Sequence, residues 1–397
     1  MISCNLSKRM SSRKFLPFIT ISVILIALCF FSVANVSADI KIGFHAPLTG
    51  FAAADGKSAK VAAEMAVDDI NAKGGVLGEK LVLVVYDDQA KADQAVPIAN
   101  KLIGQDKVKF AVSGSYSGPT RAAANIFQNA KVPYMVAYAV HPDITRAGNY
   151  VFRGVHLGPP QGRACAYFTG KTLGIKKVST IIMNNDYGVS TAEGFKDAAS
   201  KFGIKILNEY TYSLKDRQFG SIVASVKADK PDGIFITAYF FTAGPLTAQI
   251  RSAGIKTPII GSQAFDAQKF LDIAGKTAEG VYNVGGLDRE MASPELQRFM
   301  AEFKKRAGYP TESVAATTYS AVAIMADSIK RAGSTDPAKV RDALAATKDF
   351  PHFSGQLTEF NQLGEINMSL NVNIVKDGKF THYSYVDDLE LLKPPSK

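Results

Sequence analysis

The strongest constraint in this chain is a strand–helix alternation that runs, pauses and runs again. Ile40 to Phe44 alternates as a strand, and Pro47, Thr49 and Gly50 make the loop after it. Ser58 to Lys73 reads as a helix with Val61, Met65, Ala66 and Ile70 on one face and Gly74-Gly75 as its stop. A strand at Leu81 to Tyr86 ends in Asp87-Asp88. A helix over Ala92 to Ile103, a strand ending at Phe110-Ala111-Val112, a helix running on to Ala130 and a strand at Val132 to Val136 follow. Ala137 to Pro160 is rich in glycine and proline and reads as loop. The order then restarts, with strands at Val178–Met183, Ile204–Tyr210, Ile234–Ala238 and Pro258–Gly261. Helices fill the gaps at Gln161–Leu173, Ser190–Phe202, Phe219–Ala228, Gly244–Ala253 and Ala267–Ala274. Parallel strands need crossover helices, so each run is a parallel sheet with helices on both faces, and the chain has two similar α/β lobes. Helices at Pro294–Ala307, Ser313–Arg331 and Pro337–Ala346 come next, and β-structure and turns from Phe353 onward.

The start of the chain reads as an export signal. Lys8, Arg9, Arg13 and Lys14 precede an apolar run from Phe15 to Phe31, and Val36-Ser37-Ala38 offers a cleavage site before Asp39. Leu28 ahead of Cys29 argues against a lipid anchor. No second long apolar run follows, so the mature chain should not span a membrane. The net charge is +10, but four of the basic residues leave with the leader and the rest are spread without a block. That pattern is a solvated surface rather than a nucleic-acid footprint. Only Cys165 would remain, which excludes an intramolecular disulfide and reads as a packed core residue.

In open parallel sheets ligands sit outside the carboxyl ends of the strands, and two lobes facing by those ends make one cleft. The loops there carry Phe51, Tyr116, Tyr138, Tyr187, Tyr239, Phe240, Phe241 and Phe265. Such rings wall a cleft for an organic solute, although about half should pack into their own lobe instead. Phe110 to Thr120 is the stretch where the ligand is expected. A strand end leads through Ser113, Gly114, Ser115 and Ser117 to Pro119, which fits the first helical position. The open N–H groups of that helix end, with a hydroxyl from Ser117 or Thr120, would cradle a carboxylate or phosphate. The alternative is an ordinary capped βα turn.

Enzyme signatures fail on spacing. Gly50 to Ser58 resembles a phosphate-binding loop, but five residues separate Gly50 from Gly56, one too many. No G-x-G-x-x-G follows the first strand. Gly114 to Gly118 does not place glycines two residues either side of a serine. The five histidines show no zinc-ligand spacing, and Asp87 and Asp88 point apart in extended chain, as strand end and helix cap. No cofactor or metal is expected.

The chain resembles the leucine/isoleucine/valine-binding family, the extracytoplasmic solute-binding proteins of ABC importers with the type I periplasmic-binding fold. The likeness rests on Ala46-Pro47-Leu48-Thr49-Gly50, Asp68 to Val76, Tyr86-Asp87-Asp88, Asp186-Tyr187-Gly188, Ser252-Ala253-Gly254 and Thr318-Tyr319, in that order. It implies a three-segment hinge near Arg153–Gly158, Asn283–Gly286 and Ser369–Asn373. The lobes would then be residues 39–156 with 285–368, and 157–284 with 369–397, after a signal peptide over 1–38. It implies that Ser117 holds a ligand carboxylate, that the Tyr138 carbonyl faces a ligand ammonium, and that Tyr187 and Tyr239 close over the ligand. The expected site is Phe51, Ser115, Tyr116, Ser117, Tyr138, Val140, Tyr187, Tyr239, Gln263 and Phe265. Two residues depart from the pattern. Val140 stands where a hydroxyl residue is usual, and Gln263 stands where a glutamate pairs with the ammonium. Either Asp266 or Asp143 supplies that charge, or the ligand lacks an amine. The expectation is a non-enzymatic, periplasmic, monomeric receptor that closes on a hydrophobic or aromatic carboxylate, or on a branched-chain amino acid, and delivers it to an ABC permease. A ligand sensor on the same fold is the alternative, with an enzyme on this scaffold a distant third.

Overall fold

The alternation forms two sheets. The computed structural model describes residues 1–3 and 39–395; the leader read over residues 1–38 lies, apart from its first three residues, outside the described residues. The first sheet contains β1 (Ile40–Ala46), β2 (Leu81–Asp87), β3 (Phe110–Ser113), β4 (Tyr134–Val136) and β5 (Val151–Arg153), in the order β2-β1-β3-β4-β5. Every neighbouring pair in it is parallel. The second sheet takes β6 (Lys177–Met183), β7 (Lys205–Tyr212), β8 (Gly233–Thr237), β9 (Ile259–Ser262) and β10 (Val281–Val284) as parallel strands. A small hairpin, β11 (Lys348–His352) and β12 (Gly355–Glu359), stands apart. Then β13 (Leu370–Lys376) and β14 (Lys379–Val386) join the second sheet antiparallel, giving β14-β13-β10-β9-β8-β6-β7.

The crossover helices are α1 (Ala53–Ala72), α2 (Ala92–Gly104) and α3 (Ser117–Asn129) on the first sheet, and α4 (Gly158–Tyr167), α5 (Asp186–Ala199), α6 (Gly220–Asp229), α7 (Phe240–Ser252) and α8 (Gln268–Ala274) on the second. After β10 the chain returns to the first sheet, where α9 (Pro294–Ala307) and α10 (Ser313–Ala332) pack on α1 and α11 (Pro337–Ala345) packs on α10. It therefore passes between the sheets three times: after β5, after β10 and before β13. These passages are bonded to one another. His156 Nε2 meets the Met368 carbonyl at 2.6 Å, the Gly285 N–H donates to the Asn371 carbonyl at 2.8 Å, and the Asn373 amide donates to the Leu287 carbonyl at 3.0 Å.

Several boundaries differ from the sequence reading, α5 and α7 both starting earlier than read, at Asp186 and Phe240, and three of the differences have a local reason. Helix α1 begins at Ala53 instead of Ser58. Gly56 permits this: its turn lies so close to Pro47 that a Cβ would sit 2.0 Å from the Pro47 carbonyl oxygen. Helix α3 begins at Ser117 with Tyr116 as its cap residue, so Pro119 is third in the helix, not first. That position also lacks an intrahelical acceptor, so proline costs no hydrogen bond there. Strand β5 lies inside the stretch read as loop.

Candidate ligand-binding site

The carboxyl ends of the two sheets face one another, and their loops enclose a cavity of ≈ 30 Å³. From the first sheet come Tyr116 and Ser117 at the start of α3, Tyr138 and Val140 after β4, and Asp55 in the first turn of α1. From the second come Gln161 on α4, Tyr187 on α5, Tyr239 before α7, and Gln263 and Asp266 after β9. Of the residues expected at the site, Tyr116, Ser117, Tyr138, Val140, Tyr187, Tyr239 and Gln263 meet here. Phe51 stands at the rim, 39% exposed, where it borders an outer groove together with Tyr116 and Tyr239. Ser115 is wholly buried and is not on the cavity wall. Phe265 is not on the wall either: its ring is fully buried, packed over Gly261 and against Phe270 at 5.2 Å. A phenylalanine three residues past a strand end can turn inward, and here the missing Cβ of Gly261 makes the space.

The tyrosines form a continuous column across the two halves. Tyr116 and Tyr239 are stacked, with centroids 4.0 Å apart and planes within 5°. Tyr239 also stacks on Tyr187 at 4.9 Å, and Tyr138 meets the Tyr116 edge at 6.2 Å. Three of the four hydroxyls have fixed partners here: Tyr116 donates to Asp55 Oδ2 at 2.7 Å, Tyr138 to the Gly114 carbonyl, and Tyr187 pairs with Ser262. Outside the column, Phe51 meets Phe241 across the halves at 5.0 Å and Arg121 pairs with Asp186 at 3.1 Å.

At the α3 end, Ser117 Oγ accepts the Val140 N–H at 3.2 Å. Its own proton is then free to be donated, beside backbone N–H groups that have no acceptor inside the helix. This is a donor-rich corner suited to an anion. On the opposite wall, Gln161 Nε2 donates to Gln263 Oε1 at 3.1 Å and to the His156 carbonyl at 3.2 Å. The Gln263 amide nitrogen is then left to donate to a ligand oxygen.

Burial dominates the electrostatics. Asp55 is pushed up to about 7 by loss of hydration, with the Asp266 charge adding to the shift. Glu312, which accepts from Ser58 Oγ and from the Gln268 N–H, each at 2.8 Å, is pushed up to about 8 by burial and then by Asp55. Asp266 is held by Arg289 at 2.5 Å, by Ser313 and by the Leu287 N–H at 2.6 Å, so it is already fully engaged. Asp143 lies in the outer groove, half exposed, paired with Arg146 at 3.1 Å. Asp55 was not among the expected site residues. With the helix read from Ser58, position 55 falls in a loop, and only the earlier start turns it inward.

A phosphate-binding role for Gly50 to Ser58 does not fit this geometry. Lys57 is exposed on α1, and Ser58 is bonded to Glu312 and Tyr309. Cys165 is buried, and burial raises its thiol well above the ordinary range. His45 is spent on a buried pair with Asp88 at 2.7 Å and on Tyr134.

Two sheets flanked by helices and joined by three passages of the chain, with a cavity between their facing ends, define a binding protein of the periplasmic type. Residues 39–379 match the family model described as periplasmic binding protein. The Leu/Ile/Val-binding protein homolog 3 of Brucella melitensis is 32% identical over 346 residues, which is 86% of this chain and 93% of that protein. The substrate-binding protein of a Streptococcus pneumoniae branched-chain amino acid transporter, solved with isoleucine, shares 27% identity at a TM-score of 0.83, covering 88% of this chain and 100% of that one. A Rhodopseudomonas palustris solute-binding protein solved with 3,4-dihydroxybenzoic acid has the same fold, at 24% identity and a TM-score of 0.80, covering 88% of this chain and 98% of that one. The chain belongs to the periplasmic binding protein family, in its branched-chain amino acid branch. Among the described residues no helix is long and apolar enough to cross a membrane.

Proposed function

We propose that this chain is the exported receptor of an ABC importer, capturing a small carboxylate between two lobes and presenting it to a membrane permease. The lobes are residues 39–156 with 285–368, and 157–284 with 369–397. The observation that carries the reading is Ser117 at the α3 N-terminus, facing a cavity whose other walls are tyrosines from both sheets. The donor corner suits a carboxylate, and the rings suit an apolar or aromatic body at about 25 cal/mol for each Å² buried.

A cavity of ≈ 30 Å³ holds about one water, so a solute has to part Tyr116 from Tyr239 to enter. That is inexpensive. A stacked aromatic pair contributes about 0.5–1.5 kcal/mol beyond its buried area, and an exposed ion pair such as Arg121–Asp186 about 0–1 kcal/mol. Open and closed forms then lie within reach of each other, and a ligand that touches both lobes shifts the population toward closure. The reading is capture and not turnover: on this wall Asp55 and Asp266 serve as hydrogen-bond acceptors for neighbouring side chains.

A thermal-shift panel tests this reading, because a solute that binds only the folded state raises the melting temperature. Benzoates, branched keto acids, amides and branched-chain amino acids are run side by side, and the stabilising solute is recovered and weighed by mass spectrometry. Stabilisation by a carboxylate recovered unchanged supports the proposal. Stabilisation by none of them contradicts it, and a chemically altered solute would make the protein an enzyme. A permease and an ATPase encoded beside the gene favour import over sensing.

A further inference from the structure

We infer that the cavity contains a cation subsite, with Asp55 as the counter-ion of a protonated nitrogen on the ligand. This rests on the reading of the cavity as the ligand site.

Three observations carry it. Asp55 Oδ2 takes the Tyr116 hydroxyl at 2.7 Å, but Oδ1, buried and on the cavity wall, has no hydrogen-bond partner among the described residues. The other orphaned polar atom on that wall, Gln161 Oε1, is also an acceptor. Its orientation is fixed, because Gln161 Nε2 points at the His156 carbonyl, which only accepts. Both unmet positions therefore ask for a donor, and a carboxylate has none to offer.

The third observation is charge. The titratable groups that face Asp55 are Tyr116, Tyr138, Tyr239, Tyr309, Asp266 and Glu312. None is a cation. Arg289 neutralises Asp266, and Glu312 has only the neutral Ser58 and Gln268 donors. Among the described residues no group of acids is arranged to hold a metal ion. A neutral hydroxyl on the ligand would satisfy Oδ1 but leave the charge of an ionised Asp55 uncompensated. A protonated amine does both, and the faces of Tyr116 and Tyr239 add attraction for it. The charge that Gln263 cannot provide is thus supplied from α1. The preferred ligand carries a carboxylate for Ser117 and a cationic nitrogen for Asp55, near to or distant from each other along its skeleton.

The test uses probes matched except for the amine: leucine against 4-methylpentanoate, and 4-(aminomethyl)benzoate against benzoate, with benzylamine as an amine lacking the carboxylate. Each is titrated calorimetrically into the full protein near about pH 8 and about pH 6, on either side of the value of about 7 to which burial raises Asp55. The amine-bearing member of at least one pair should bind more tightly by about tenfold or more, the range for a hydrogen bond between charged groups. That advantage should shrink at the lower pH and in Asp55→Asn. The comparison on the unaltered protein needs no variant to fold. Equal or tighter binding of the amine-free partners, an advantage that survives in Asp55→Asn, or no binding of any amine probe overturns the assignment. In those cases binding of benzoate or 4-methylpentanoate leaves the carboxylate receptor standing. Benzylamine binding while no carboxylate binds supports Asp55 and contradicts the carboxylate reading.

Discussion

Ser117 contributes one proton to the site. Its oxygen is committed to the Val140 N–H, so the hydroxyl hydrogen is what remains for a ligand. Ser117→Ala should weaken carboxylate binding by about 1–3 kcal/mol, as for a lost hydrogen bond to a charged group. Calorimetry with the strongest panel ligand that shows no loss would remove Ser117 from the site. The buried acids make a second residue-scale prediction. Asp55 rises from an ordinary 3.8 to about 7 and Glu312 from 4.5 to about 8. Between about pH 4 and pH 8 the folded chain holds protons that the unfolded chain has released, so these groups make stability fall as pH rises through that window. Urea unfolding of the ligand-free protein should show this decline, and Glu312→Gln should flatten it; a decline of undiminished slope in the variant would contradict the assignment. At this scale the sequence carried the wall residues near strand ends, because a strand end fixes where the next side chains point. It did not carry Asp55 or Phe265, whose directions depend on Gly56 and Gly261 admitting close neighbours.

Arg153 ties elements together. It is wholly buried at the end of β5, with Nε on Glu365 at 2.8 Å, Nη2 on the His141 carbonyl at 2.7 Å and Nη1 on the Ala139 carbonyl. It thereby anchors the loop of Tyr138 and Val140 to the first and third passages between the sheets. Arg153→Met leaves Glu365 buried without its partner, which should cost about 3–5 kcal/mol in urea unfolding; a loss below about 1 kcal/mol, the range of an exposed ion pair, would show the pair to be solvated. Helices α4 and α5 meet through paired glycines. A Cβ on Gly162 would lie 2.0 Å from the Thr191 carbonyl oxygen, and one on Gly194 would lie 2.0 Å from that of Pro159. Gly194→Ala should therefore destabilise by about 1–3 kcal/mol through overpacking, against the small gain alanine brings to an uncrowded helix. An unchanged denaturation midpoint would refute the close approach. The long helices and strands were legible from their periodicity. Strands β5 and β10 were not, being three or four residues long between glycines and prolines, where no period can repeat and pairing with neighbours alone makes the strand.

For the whole molecule, the sequence implied two sheets and their crossings because a repeated strand–helix order leaves few topologies open. The pairing of the β13–β14 hairpin with β10 and the tyrosine column are long-range outcomes. Tyr116 and Tyr239 lie far apart in the chain, one on each half, and are stacked face to face. In the proposed complex a carboxylate ligand takes the space those rings now fill. The most direct measurement is a crystal structure of the protein grown with the solute that most raises its melting temperature. Density is expected between Tyr116 and Tyr239, with the carboxylate on Ser117 and the α3 N-terminus and the two rings parted. Density confined to the outer groove near Phe51, with the Tyr116–Tyr239 stack intact, would contradict it.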